Sequence, residues 1–355
     1  MDFLFAAAFF LFGLAFGSFL NVCIHRMPRR INAREDREEL EERMRREPEL
    51  AGPLSAEIAR LQAAERGLSV AEGRSACPAC GAKITAWDNI PVLSWLLLGG
   101  RCRHCKAPIS PRYWIVELFT ALLFLACYLK FGLTFSAAKY CVLSFLLLGL
   151  IFTDAEWKLL PDALTLPGLG LGVFFSLFVP VNDLTTRIVS ALFSPALLPM
   201  ASGMPGGHGE MGWRLMSLAQ SALSAAVGAS FIYGAGMIYL RARGVEGMGM
   251  GDVKLMAMVG AFLGVTLTVM TLFLASLLGS LFGLTTILIV WLRRTRRRMR
   301  RGREPAALAR RRAWRSAQIM YRFYEMPFGV FLGVVALAAA FFGNVIVGWY
   351  WEHFR

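Results

Sequence analysis

Residues 139–157 read KYCVLSFLLLGLIFTDAEW, an uncharged apolar run from Tyr140 to Thr153 that is closed by Asp154 and Glu156. As a helix rising about 1.5 Å per residue, the stretch from 135 to 153 reaches across most of a hydrocarbon core of about 30 Å. A carboxylate at the edge of such a span is costly in lipid, so it calls for a partner or a task. Working outward, comparable runs stand at 3–24, 113–130, 163–180, 214–240, 253–270, 271–292 and 326–350. Between 253 and 292 only the region Leu263 to Thr268 offers a turn, and no charge marks it. Eight spans in a chain of 355 residues, 56% hydrophobic and 17% charged with mean hydropathy +0.53, predict an all-α polytopic membrane protein and exclude an ordinary soluble domain.

The formal net charge of +14 would suggest nucleic acid in a soluble protein. Here topology accounts for it. With eight spans and both ends outside, the inner segments 25–112, 154–162, 241–252 and 293–325, together with Lys254, hold 33 of the 38 Lys and Arg. That asymmetry is what the positive-inside rule demands, so lipid is the expected partner and nucleic acid is not. The first run has no small-residue cleavage site at its end and reads as a retained helix.

The chain therefore divides into a first transmembrane helix at 1–24, a cytosolic domain at 25–112, and a membrane domain at 113–355 with seven helices and a basic cytosolic loop at 293–325. Within the cytosolic part, 34–74 mixes acidic and basic residues at helical spacing, as in Glu39 to Arg43 and Glu57 to Arg60, and predicts a solvated helical hairpin. The stretch 181–212 is rich in Gly, Pro and Ser; it reads as an outer loop with a short interfacial helix near 188–198, and its His208 as a bystander.

Seven cysteines occur, four of them in two CxxC pairs, Cys77 with Cys80 and Cys102 with Cys105, separated by 21 residues. That spacing suits two knuckles closing on one tetrahedral zinc, and four thiolates leave no open position, so the role is structural. Two disulfides or a redox pair would be the competing reading, but the charge asymmetry puts this segment in the reducing cytosol.

Three carboxylates fall at the inner membrane boundary on separate spans. They are Asp154, Asp162 in Leu160-Pro161-Asp162, and Asp252 in Gly249-Met250-Gly251-Asp252-Val253-Lys254. Two carboxylates a few ångströms apart do not both ionise readily and share a proton, which lets one activate water while the other polarises a scissile carbonyl. Gly249 and Gly251 allow close backbone approach beside the acid. Taken singly, Asp162 or Asp252 reads equally as a helix N-cap.

At this point the chain resembles bacterial type IV prepilin peptidases, the bifunctional leader peptidases and N-methyltransferases of the GxGD aspartyl class. The resemblance rests on Gly17-Ser18-Phe19-Leu20-Asn21-Val22 with Arg26 and Pro28, the two CxxC pairs, and Asp88 to Trp95. It continues through Gly100-Arg101-Cys102, Pro108 to Tyr113 with Glu117, Asp154 to Asp162, and Gly249 to Lys254.

The resemblance implies that Asp154 and Asp252 are the catalytic pair, with Asp162, Asn21, Gly249, Gly251 and Lys254 in support. It implies cleavage after the Gly of a short basic leader, on the cytosolic side of the inner membrane, in prepilins or type II secretion pseudopilins. Methylation of the new N-terminal residue, usually Phe, would follow from S-adenosylmethionine, and the cysteine domain near Gly100 is the part linked to it. No Gly-rich loop of dinucleotide type announces a donor pocket. Glu117, Glu156 and Asp162 are candidate partners for the basic leader. Two other readings stay open on the residues alone: a GxGD peptidase that methylates nothing, and a proton-coupled transporter or scaffold using the same carboxylates.

Overall fold

The computed structural model describes residues 2–70, 75–181, 210–244, 249–300, 305–322 and 326–353. The expected interfacial helix at 188–198 and His208 lie outside the described residues.

The architecture is all-helical. The helices are α1 (Asp2–Arg46), α2 (Ala51–Gly67), a short α3 (Leu93–Leu97), α4 (Arg112–Phe131), α5 (Phe135–Trp157), α6 (Asp162–Ser176), α7 (Glu210–Arg243), α8 (Met250–Leu263), α9 (Val265–Arg300), α10 (Ala306–Arg322) and α11 (Phe328–His353). Six of them, α1, α4, α5, α7, α9 and α11, are long and apolar enough to cross a bilayer. The other two expected spans are short. Helix α6 has 15 residues and α8 has 14, or about 21 to 23 Å, less than a hydrocarbon core. The expected boundary at 270/271 is corrected: the chain breaks at Gly264, where φ is 87°, so α8 is brief and α9 runs on for 36 residues.

The short helices survive because protein surrounds them. Every residue from Leu255 to Leu263 of α8 is buried, enclosed by α6, α7, α9 and α11. Helix α5 lies between the halves of the bundle, packing on α1 and α4 on one side and on α6 and α11 on the other. Leu143, Leu147 and Leu150 are fully buried with Met256, Met258, Phe262 and Leu332 in the main core.

Helix α1 runs unbroken for 45 residues, about 68 Å, so roughly half its length projects beyond a bilayer core. The expected 34–74 hairpin is, through residue 70, that projection plus α2 folded back along it. Ion pairs decorate it, including Arg34 with Glu38 at 2.7 Å, Arg60 with Glu57 at 3.6 Å, and Arg37 of α1 with Glu65 of α2 at 3.3 Å. Arg26 ties the returning chain down by donating to the Ser69 carbonyl at 2.7 Å. In the basic 293–325 segment, α10 folds against the end of α9, where Trp291 donates to the Arg310 carbonyl at 3.1 Å.

Candidate functional sites: an aspartate pair and a cysteine cluster beside a cavity

Asp154 sits in the last turn of α5 and is 5% exposed. The helix stops there because Lys158 adopts a left-handed conformation at φ 52°, and the chain turns through Leu159-Leu160-Pro161 into α6. The Asp154 carboxylate accepts the main-chain N–H of Val330 at 2.8 Å, and Gly329 N–H also reaches it. These donors belong to the first turn of α11, where amide groups have no partner within the helix. A helix N-terminus thus holds the carboxylate in place. The site needs glycine at 329, because a Cβ there would stand 2.9 Å from Asp154 Oδ2 and 3.1 Å from Leu160 Cδ1.

Asp252 lies in the first turn of α8 and is partly buried. The N-cap of that helix is Gly249, and the N-cap of α6 is Pro161, so neither Asp252 nor Asp162 is the capping residue. Gly251 packs on Leu160, whose Cβ would be 3.0 Å from a Cβ at that position. Leu160 therefore wedges between Gly251, next to Asp252, and Gly329, next to Asp154. This one side chain thus stands between the helix ends that carry Asp154 and Asp252. Gly249 meets little beyond its own turn.

Other predicted carboxylates have partners within the chain. Asp162 takes Lys254 Nζ on both oxygens at 2.7 Å, and Glu156 takes the Arg112 guanidinium. Glu117 is buried in α4 and accepts the Val92 N–H at 2.7 Å. A basic peptide would have to displace a resident cation from the first two.

The four cysteines converge. Their Sγ atoms all lie within 4.8 Å of one another, with Cys77 and Cys105 at 3.8 Å. A tetrahedral ion with metal–sulfur bonds of about 2.3 Å sets its sulfurs about 3.8 Å apart, so the cluster can hold such an ion. Both halves are built alike. In each, the first cysteine pairs its main chain with the residue five positions on, Cys77 N–H to Ala82 and Cys102 N–H to Ala107, both at 2.9 Å. Gly81 at φ 71° and Lys106 at φ 58° make the turns. Amides inside each turn point at the first sulfur. Those of Ala79 and Cys80 bring the Cys77 thiol down to about 7, and those of Cys105 and His104 lower Cys102. Arg103 clamps Asp88 with both Nε and Nη2, tying the second turn to the short helix at Trp87–Asn89 and holding the Asp88 carboxyl below its usual range.

A cavity of about 720 Å³ opens between this cluster, α1 and the start of α4, within the range of small-molecule sites. Cys77, Cys102, Trp95, Tyr113, Asn21 and Glu117 are among its walls. Gly100 is set behind that wall: its φ is 67°, and a Cβ would stand 2.9 Å from the Trp95 ring. Its part is to leave room for Trp95, which donates to the Ile109 carbonyl at 3.2 Å.

Sequence reasoning missed Leu160, Gly329 and Val330. Gly329 and Val330 lie in an apolar run and Leu160 in the short segment between two, and all three act through shape and main-chain N–H groups, so no side-chain chemistry advertised them.

The comparisons with known proteins concern the chain as a whole. Residues 11–131 match the model of the Bacterial Peptidase A24 N-terminal domain, and residues 141–284 match that of the Type IV leader peptidase family. A prepilin leader peptidase/N-methyltransferase of Aeromonas hydrophila is 32% identical over 355 residues, covering 100% of this chain and 96% of the relative. A protein of the same name from Pseudomonas aeruginosa is 36% identical over 276 residues, 77% of this chain and 78% of the relative. Another, from Burkholderia pseudomallei, is 30% identical over 337 residues, 94% and 84% of the two chains. No solved structure matches. Matched over its whole length by the Aeromonas hydrophila relative and over 11–131 and 141–284 by the two family models, the chain belongs to the type IV leader peptidase family, among the prepilin leader peptidase/N-methyltransferases.

Proposed function

We propose that this protein cleaves the basic leader from type IV prepilins and type II secretion pseudopilins at the cytosolic face of the inner membrane. It then methylates the new amino terminus with S-adenosylmethionine as donor. The hydrolytic half is supported by one observation: Leu160 packs against Gly251, next to Asp252, and against Gly329, next to Asp154, so a single side chain links the helix ends that carry the two acids. Asp162 and Lys254, paired at the edge of the site, support it.

The two aspartates share one proton. The ionised carboxylate takes a proton from water as the water oxygen bonds to the scissile carbonyl carbon, and the protonated carboxyl gives its proton to the carbonyl oxygen. Collapse of the tetrahedral adduct breaks the C–N bond, with a proton passing to the departing amine. The substrate's apolar helix lies in the bilayer with its basic leader in the cytosol, which sets the bond at the depth of the pair. With the short α6 and α8 counted as crossings beside the six long helices, both termini fall outside, and the arginine-rich end of α9 falls on the same side as the cysteine segment.

Cys77, Cys80, Cys102 and Cys105 would hold a structural zinc, which would tie the two turns into one wall of the cavity. The donor supplies an electrophilic methyl group when bound. The chain supplies a cavity of suitable size, aromatic surface from Trp95 and Tyr113, and buried acceptors.

Mass spectrometry of a prepilin incubated with the purified full-length protein tests both halves. The leader should be lost with or without donor, and one methyl group should be gained only with donor. An intact precursor would overturn the peptidase reading, and cleaved but unmethylated product would leave a peptidase alone. Gly329→Ala should crowd Asp154 and weaken its contact with the Val330 N–H, lowering cleavage kcat/KM roughly ten- to a hundredfold. That is the loss of one hydrogen bond to a charged group, about 1.5 to 3 kcal/mol. The melting temperature should change little, and unaltered cleavage would show that the α11 turn does not position Asp154.

A further inference from the structure

Asn21 and Glu117 are buried polar residues in the wall of the cavity, and their placement is specific. Helices α1 and α4 approach so closely that a Cβ at Gly17 would stand 2.6 Å from the Glu117 Cα. One turn beyond Gly17, Asn21 is 3% exposed and donates Nδ2 to the Tyr113 carbonyl at 2.8 Å. Its Oδ1 is left buried with no hydrogen-bond partner. Glu117, 8% exposed, accepts the Val92 N–H at 2.7 Å, and the side chains of Ser18 and Asn21 also reach its carboxylate. These partners are neutral, whereas a buried carboxylate is stabilised by a cation.

Val92 adds a second sign of a built site. It sits at φ 61° and ψ −49°, a conformation that a β-branched residue adopts only under constraint. The bond to Glu117 holds it there, and Val92 itself lines the cavity. The backbone is strained to keep this carboxylate fixed beside the orphan amide oxygen.

A buried carboxylate next to an unpartnered amide oxygen presents acceptors to a small cationic donor. We propose that Asn21 and Glu117 form a subsite for a primary ammonium group at the buried wall of the cavity. The inference rests on the methyltransferase half of the proposed function, which brings two such groups to this cavity: the new α-amine of the cleaved chain and the α-ammonium of the methyl donor. The subsite is separate from the aspartate pair. Glu156, which also lines the cavity, lies two residues after Asp154 and therefore about 200° around α5, so the two sites use opposite sides of that helix end.

The test uses the full-length protein in nanodiscs and two pairs of probes, with binding measured by calorimetry. One pair is a Phe-initiated pilin peptide with a free or an acetylated amino terminus. The other is S-adenosylmethionine and an analogue lacking its α-amino group. Wild type should bind one amine-bearing probe about tenfold or more tightly than its amine-free twin, the size of a hydrogen bond to a charged group. Glu117→Gln keeps an acceptor for the Val92 N–H, and Asn21→Leu removes the orphan oxygen. Both should erase that preference.

Loss of preference on the peptide pair assigns the subsite to the acceptor, and loss on the donor pair assigns it to the donor. Preferences that survive both substitutions, in a protein that methylates, overturn the subsite and leave the methyltransferase reading standing. A wild-type protein that binds neither donor nor peptide and transfers no methyl group overturns that reading, and the subsite with it.

Discussion

Replacing Asp252 by Asn is expected to lower leader cleavage by about a thousandfold or more, and Asp154→Asn should do the same. Each substitution removes a group that must either take a proton from water or give one to the carbonyl, and general acid–base catalysis of that kind contributes roughly 10² to 10⁴ in rate. Asn keeps the shape of Asp, so the Leu160 wedge and the Val330 N–H contact survive, and the melting temperature should hold. Asp162→Asn is the instructive contrast. Asp162 is about half exposed and paired with Lys254, so its loss should cost a few-fold by loosening the edge of the site. The measurement is cleavage of a prepilin in reconstituted membranes, with methylation of a pre-cleaved peptide followed in parallel. Methyl transfer should persist in Asp252→Asn, since the cavity is lined by α1, α4, the cysteine segment and Glu156 of α5, and Asp252 is not among its walls. Normal processing by Asp252→Asn would sink the hydrolytic reading and favour a transporter or scaffold.

The residues most legible in sequence were those whose chemistry is expensive where it stands. A carboxylate closing an apolar run, such as Asp154, has few cheap explanations, and four cysteines in two CxxC pairs have fewer still. The break at Gly264 was hidden because no charge marks it, and composition cannot tell a short helix sheltered by its neighbours from half of a lipid-facing span. Burial of Leu255 to Leu263 is a tertiary fact. Glu117 was legible as a carboxylate in a span but not in its use. Its meaning comes from Val92, 25 positions away, and from the close approach of α1 at Gly17. Val330 acts through a main-chain N–H that every residue but proline possesses, so pairing is decided by geometry alone.

Removing the metal should separate the two activities. The full-length protein is expected to carry about one zinc per chain, and Cys102→Ser or a strong chelator should release it, because four thiolates bind the ion and three do not close the tetrahedron. Structural zinc contributes on the order of 10 kcal/mol or more to the fold it closes, while the small cysteine segment has little apolar core of its own: among its described residues only Ser94, Gly100 and Cys102 are buried. The turns at Cys77 and Cys102 should therefore open, and with them the wall that carries Trp95. Methyl transfer should fall by about a hundredfold or more. Cleavage should suffer far less, since Asp154 and Asp252 are fixed by α5, α8, α11 and Leu160 rather than by the cysteine segment. Metal analysis of the purified protein checks the first step, and the two activities assayed before and after chelation check the second. A protein free of zinc but active in methyl transfer would refute the structural metal, whereas equal loss of both activities would mean that the knuckle supports the whole cytosolic face and not the cavity alone.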